Sequence, residues 1–238
     1  MTTSIFIRSY RGDRFWLDYC LRSLKKFATG FKETLVVLPK GDEPHFQSTD
    51  FRGARVLWWD DLPGDGYMGQ MHCKMHADQM LDSDFIYFVD SDCFTQGPAT
   101  PSDCMSGNKP IQLLRHWEDV GDAKMWKPIT ERAVKFTPAF EHMALIPLMY
   151  HRRTIADART YMESTHGQSL GAYIQGVPFR SFSEFNAIGA FACRFQPHLY
   201  DWRLADPTTD GVPRTIRQHW SWGGLTPDIE AQFNQILS

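Results

Sequence analysis

The sequence predicts an α/β fold in which a mostly parallel central sheet is flanked by helices. Three observations carry that prediction. Short apolar runs recur through the first hundred residues: "SIFIRSY" (4–10), "TLVVLP" (34–39), "ARVLWW" (54–59) and "FIYFVD" (85–90). Helix-patterned stretches alternate with them, which implies parallel pairing through right-handed crossovers. The chain has 238 residues, 42% of them hydrophobic and 22% charged, enough for one such domain with a full core.

The elements follow in order. The first run is a strand that ends in polar residues. "DRFWLDYCLRSLKKFATG" (13–30) places Leu17, Leu21, Leu24 and Ala28 on one stripe, with Lys25 and Lys26 near its end and Gly30 beyond, which reads as a helix. Residues 34–39 form a second strand stopped by Pro39, and 54–59 a third. A helix is expected over Gln70–Leu81. Phe85–Val89 is a continuous apolar run, the pattern of a strand covered on both faces, and it delivers Asp90 and Asp92 to its carboxyl end. Beyond Pro98 the pattern loosens. "PIQLLRHW" (110–117) and "MALIPLMYH" (143–151) read as strands, the latter demoted in part to an edge or bulge by Pro147. Helices are expected over 154–167, ending at Gly167, over 183–195, and over 226–238 with Thr226 as cap and Pro227 in the first turn. No repeat or linker interrupts the chain, so one domain is expected, with the second half built around the sheet of the first.

A net charge of −3 argues against a broadly basic nucleic-acid surface. Five cysteines without a Cys-x-x-Cys pair do not suggest a disulfide framework, and a reduced, cytoplasmic setting is expected. No charged and apolar leader opens the sequence, and no apolar run reaches the ~18 residues a membrane helix requires.

Asp90-Ser91-Asp92 lies where open parallel sheets bind ligands, and two carboxylates on alternate residues can grip a hard cation. The same residues can equally cap or turn the chain after a strand. Gln70 and Lys74 share a helical face. Ser183-Glu184-Phe185 is followed by Gly189. Together these stretches resemble the GT-A glycosyltransferases, and most closely small bacterial and phage proteins of that fold, over roughly residues 4–224. There a Gln-x-x-x-Lys helix precedes an Asp-x-Asp strand, and a Ser-Glu-aromatic segment with a later Gly follows.

The resemblance implies a GT-A-like domain whose residues 1–98 bind a nucleotide-sugar and whose residues 99–238 bind the acceptor. It implies a metal-dependent hexosyl- or pentosyltransferase. Asp92 would be the firmer metal ligand and Asp90 the supporting one, with Ser91 beside them and His219 of "RQHWSWGG" (217–224) as third ligand. A nitrogen ligand favours Mn²⁺ over Mg²⁺; the alternative for His219 is a ring packed among Trp220 and Trp222. Ser9, Tyr10 and Arg11 would meet the base, ribose and phosphate, or form a plain surface loop. Lys74 would be a counter-charge in the crevice, or an ordinary solvated lysine. Glu184, among Phe182, Phe185 and Ile188, would be the base that takes the acceptor's proton, its pKa raised by low polarity, or a glutamate favoured by the helix dipole. His142 would line the acceptor side or sit in the core. The acceptor would be a hydroxyl of a glycan or of a modified DNA base, and net acidity suits the glycan better.

Two other functions stand beside this one. Haloacid-dehalogenase-type phosphohydrolases also place Asp-x-Asp after a strand, but with Thr two residues on, where this chain has Phe94. A binding module that kept the fold without turnover is the other. His72 and His76 have zinc-ligand spacing, yet Cys73 stands where a metalloprotease needs its glutamate.

Overall fold

In chain order the strands are β1 (Thr3–Arg8), β2 (Thr34–Pro39), β3 (Arg55–Trp59), β4 (Phe85–Asp90), β5 (Cys93–Thr95), β6 (Met105–Ser106), β7 (Lys109–His116), β8 (Phe140–Glu141), β9 (Leu148–His151), β10 (Asp201–Leu204) and β11 (Ile216–Gln218). The helices are α1 (Arg14–Phe27), α2 (Gly66–Lys74), α3 (Ala77–Met80), α4 (Trp126–Val134), α5 (Arg152–His166), α6 (Leu170–Gly176), α7 (Glu184–Phe195) and α8 (Pro227–Leu237). The computed structural model describes residues 1–64, 66–144 and 146–238.

The central sheet has the order β3-β2-β1-β4-β9. Its first four strands are parallel, and β9 runs antiparallel to β4 at the edge. Successive side chains along each strand go to opposite faces. Phe6, Leu35, Val37, Ile86, Phe88, Leu148 and Tyr150 therefore join one core cluster, with residues of α2, α5 and α7. Ile5, Ile7, Val36, Leu38, Phe85, Tyr87, Val89 and Met149 join another, with Leu17, Leu21 and Leu24 of α1. Both faces are covered, which is why the strand sequences run apolar without alternation. The expected mostly parallel α/β sheet with flanking helices is the observed one.

Two expected elements differ. The helix over Gln70–Leu81 is two pieces, α2 and α3. At the break the His72 carbonyl accepts from the His76 ring Nδ1 at 2.9 Å, and the His76 backbone N–H turns to the Cys73 carbonyl. A side chain thus takes the acceptor that a continuing helix would have used. The strand over 143–151 shortens to β9: Pro147, joined to Ile146 by a cis peptide bond, has no N–H for a ladder, and pairing begins at Leu148. Leu145 of that stretch lies outside the described residues.

The second half contributes β9 to the central sheet but also builds its own. There β7 pairs with β10 in parallel and with β6 and β8 in antiparallel fashion. A separate ribbon pairs β11 with β5, with Gln218 opposite Cys93. That pairing brings the C-terminal segment against the end of β4. Thr226 caps α8 by accepting from the Ile229 N–H, and Phe233 of α8 stacks on Phe94 at 3.9 Å between ring centres. The five cysteines are free. No helix among the described residues is long and apolar enough to cross a membrane.

Candidate active site

The strand order reverses between β1 and β4. From β1 the chain winds to β2 and β3, then returns across the sheet to β4 on the other side of β1. Such a switch point opens a crevice at the carboxyl ends of the two strands. Arg8 and Asp90 are register partners there, so Ser9-Tyr10-Arg11 and Ser91-Asp92 leave the sheet side by side.

Asp90 and Asp92 are joined by one donor. The Gln218 side-chain Nε2 lies 3.3 Å from Asp90 Oδ2 and 3.3 Å from Asp92 Oδ1. Asp92 Oδ2 accepts the Ser221 backbone N–H at 2.9 Å, and its carbonyl accepts the His219 N–H at 3.0 Å. Ser91 Oγ donates to Asp13 Oδ2 at 3.1 Å. Three carboxylates thus crowd the strand end. Burial, and then the charge of Asp90, raises the Asp92 pKa above the usual carboxylate range. Asp13 is raised by burial and by Asp90, against the hydrogen bonds of Ser221 and Ser91.

Behind this group Lys74 is 4% exposed, and its Nζ lies 2.8 Å from Asp90 Oδ1 and 3.0 Å from Glu184 Oε1. The ammonium also sits 4.7 Å from the centre of the Phe185 ring. Burial alone would lower the Lys74 pKa, but the two carboxylates outweigh it and hold the group well above its ordinary value. Lys74 is therefore no solvated lysine. It ties α2, β4 and the first residue of α7 together. Glu184 is buried as expected, and its partner is this ammonium. Gln70 is half-buried one turn earlier on α2.

At the end of β1, Ser9 is buried and its Oγ has no hydrogen-bond partner. Arg8 is spent on Asp61, in a two-pronged bond at 2.7 and 2.5 Å. Tyr10 is half-exposed and folds over Gly12, where a Cβ would fall 2.5 Å from its ring. Burial, then the charges of Asp13 and Asp42, raises its phenol. Arg11 is exposed, its backbone N–H bonded to Asp42 Oδ2 at 2.8 Å.

The two histidines part ways. His219 follows β11 and packs its ring against Trp16 and Phe233, at 6.1 and 4.8 Å between centres. Its aromatic neighbours are these, while Trp220 and Trp222 are exposed. The His219 Nε2 is buried with no partner, and burial together with Arg217 keeps the imidazole's pKa below its ordinary value. His142 is buried against α7: a Cβ on Gly189 would lie 2.4 Å from the His142 Cβ, and Asn186 Oδ1 accepts the His142 backbone N–H at 2.8 Å. Burial pulls its pKa down to about 3. Gly189 of the Ser-Glu-Phe segment is thus required by close packing.

The donor chemistry suits a divalent cation at the two aspartates. Their facing oxygens already converge on one donor, the Gln218 side-chain amide, and like charge favours a compensating cation. Among the described residues, however, no three His, Cys, Asp or Glu side chains stand grouped to hold a metal. His219 lies in the adjoining turn with a spare nitrogen. His72 and His76, with rings 4.4 Å apart beside Trp59, have no third partner of that kind either.

Asp13, Gln218 and Ser221 carry no sequence signal of their own, since each joins the site through tertiary contacts. No protein-family model matches this chain, and no curated protein matches it.

Proposed function

We propose that the chain is a metal-dependent glycosyltransferase of the GT-A type that moves a sugar from a nucleotide-sugar to an acceptor hydroxyl. What supports this reading most is the convergence of Asp90 Oδ2 and Asp92 Oδ1 on one point, 3.3 Å from each, in the switch-point crevice. Asp90 and Asp92 would hold Mn²⁺ or Mg²⁺ with His219 as third ligand. Bound there, the cation supplies Lewis-acid neutralisation of the diphosphate leaving group. Ser9, Tyr10 and Arg11 line the neighbouring strand end for base, ribose and phosphate, and Ser91 and Gln70 flank the carboxylates. Glu184 takes the acceptor proton, and Lys74 positions it by holding one carboxylate oxygen while leaving the other for the hydroxyl. His142, packed behind α7, supports the acceptor side without touching it.

The phosphohydrolase reading fits less well. That family places a Thr two residues after the second Asp, where this chain has the fully buried Phe94, stacked on Phe233. A thermal-shift screen of nucleotide-sugars with and without Mn²⁺ tests the proposal. A ligand at 100 times its Kd stabilises by about 2.7 kcal/mol. Metal-dependent shifts followed by sugar transfer are expected. Shifts without transfer or donor hydrolysis would mark a binding module, and no shift with any donor would refute the reading.

A further inference from the structure

Arg180 stands at the rim of the site, and the salt bridges among the described residues do not include it. Arg8 is matched to Asp61, Arg115 to Glu141, Arg159 to Asp78, Arg203 to Asp201 and Arg214 to Asp210. Arg180 meets no carboxylate among the described residues. Its guanidinium lies over two aromatic rings, 5.6 Å from the centre of Tyr67 and 5.2 Å from that of Phe179. The rings themselves meet edge to face at 5.9 Å and 74°. Arg180 is exposed, Phe179 is 57% exposed, and the Arg180 backbone is left-handed at φ 58°. A non-glycine residue in that region carries strain that its surroundings must hold, and such strain gathers at ligand sites.

The cluster adjoins the proton acceptor. Residues 177–183 join α6 to α7, so Arg180 stands four residues before Glu184. Tyr67 on α2 lies between the two sides: its phenol, raised to about 12, responds first to burial and next to Glu184, with Arg180 and Lys74 opposing. A guanidinium stacked on rings keeps its planar fork of N–H donors free, and that fork matches an oxyanion. The exposed face of Phe179 is a flat apolar surface on which a sugar ring can lie.

We propose that Arg180, Phe179 and Tyr67 form an acceptor subsite for a sugar ring carrying an oxyanion, either a carboxylate or a phosphate. This rests on the glycosyltransferase reading, because the acceptor must approach Glu184. The donor diphosphate belongs at Asp90 and Asp92, leaving this rim to the second substrate.

The test uses the full chain with three probes, glucuronate, glucose 6-phosphate and glucose, titrated by NMR, alongside UDP, GDP and dTDP with Mn²⁺. At least one acidic sugar is expected to bind fivefold or more tightly than glucose, and which one tells carboxylate from phosphate. Arg180→Gly suits the φ of 58° and should fold; it should erase the preference and leave nucleotide affinity unchanged. Arg180→Lys should restore the preference only in part, since an ammonium lacks the fork. Equal binding of the three sugars overturns the proposal. So does a fall in nucleotide affinity in Arg180→Gly that matches the loss for the acidic sugar, which would give the arginine to the donor. Failure of every nucleotide to bind the wild-type protein would sink the glycosyltransferase reading, and this one with it, through a separate measurement.

Discussion

Replacing Lys74 with Met should destabilise the protein by removing the charge between two carboxylates while keeping most of the side chain's volume. The side chain of Lys74 is 5% exposed, that of Glu184 4% and that of Asp90 22%. Breaking a buried ion pair from one side typically costs ~3–5 kcal/mol, because the remaining charge is stranded. Water reaches Asp90, so most of the cost falls on Glu184. Urea unfolding of both proteins at pH 7 measures it. The double variant Lys74→Met/Glu184→Gln should recover a substantial part of the loss, since no charge is then left buried at α7. In the wild type the raised Lys74 pKa contributes stability that is complete below about pH 10 and lost only as pH climbs through the folded-state value. Between pH 6 and 9 the lysine's own contribution should therefore stay flat. If Lys74→Met matches wild type in urea at pH 7, or if adding Glu184→Gln lowers stability further, the ammonium is not the partner that holds Glu184.

Asp92→Asn should weaken Mn²⁺-dependent nucleotide binding far more than stability, because an amide oxygen still accepts the Ser221 N–H; equal affinities by calorimetric titration would remove Asp92 from the site. Glu184→Gln should lower transfer by about 10²–10⁴ with donor affinity kept, and substantial transfer by the variant would demote Glu184 to acceptor binding. Phe233→Ala should cost ~3–5 kcal/mol, since the ring is fully buried on Phe94, and the His219 pKa should rise toward its ordinary value as its cover goes; an unchanged His219 titration by NMR would contradict that. His142, buried neutral with its pKa pulled down to about 3, makes the folded state bind fewer protons than the unfolded one below pH 6.5. Stability should fall on acidification from 6.5 toward 3 by up to about 1.4 kcal/mol per pH unit, and His142→Leu should flatten that slope; identical slopes would refute it.

The sheet was legible because its strands are buried on both faces, and continuous apolar runs such as Phe85–Val89 have few other uses. The caps of α8 and the lysines closing α1 were local chemistry and read as such. The break between α2 and α3 was not, because it depends on a histidine ring reaching a backbone carbonyl one turn back. Lys74 and Glu184 each stood out in the sequence, yet nothing local said that they face one another. Gln218 and Ser221 were invisible for a simpler reason. They reach Asp92 through the pairing of β11 with β5, across a separation of 126 residues in the case of Gln218. Period and propensity carry no information about a partner that far along the chain.

The charges around the crevice give the strongest physical constraint on what enters it. Asp13, Asp90 and Asp92 crowd the strand end, and the buried Lys74 ammonium behind them is divided between Asp90 and Glu184. A phosphate group brought into this field alone would meet like charge at close range in a partly buried setting, where repulsion is weakly screened. Arg8, the nearest arginine on β1, is committed to Asp61. On the proposed reading, a divalent metal arriving with the nucleoside diphosphate would offset this charge beyond what the exposed Arg11 at the end of β1 supplies. Arg180, with no carboxylate partner among the described residues, stands four residues before Glu184 over the Tyr67 and Phe179 rings rather than on the strand ends. On the proposed reading, the same arrangement that repels a bare phosphate would separate the two substrates: a metal-neutralised donor at Asp90 and Asp92, and an acceptor met by the Arg180 guanidinium before α7.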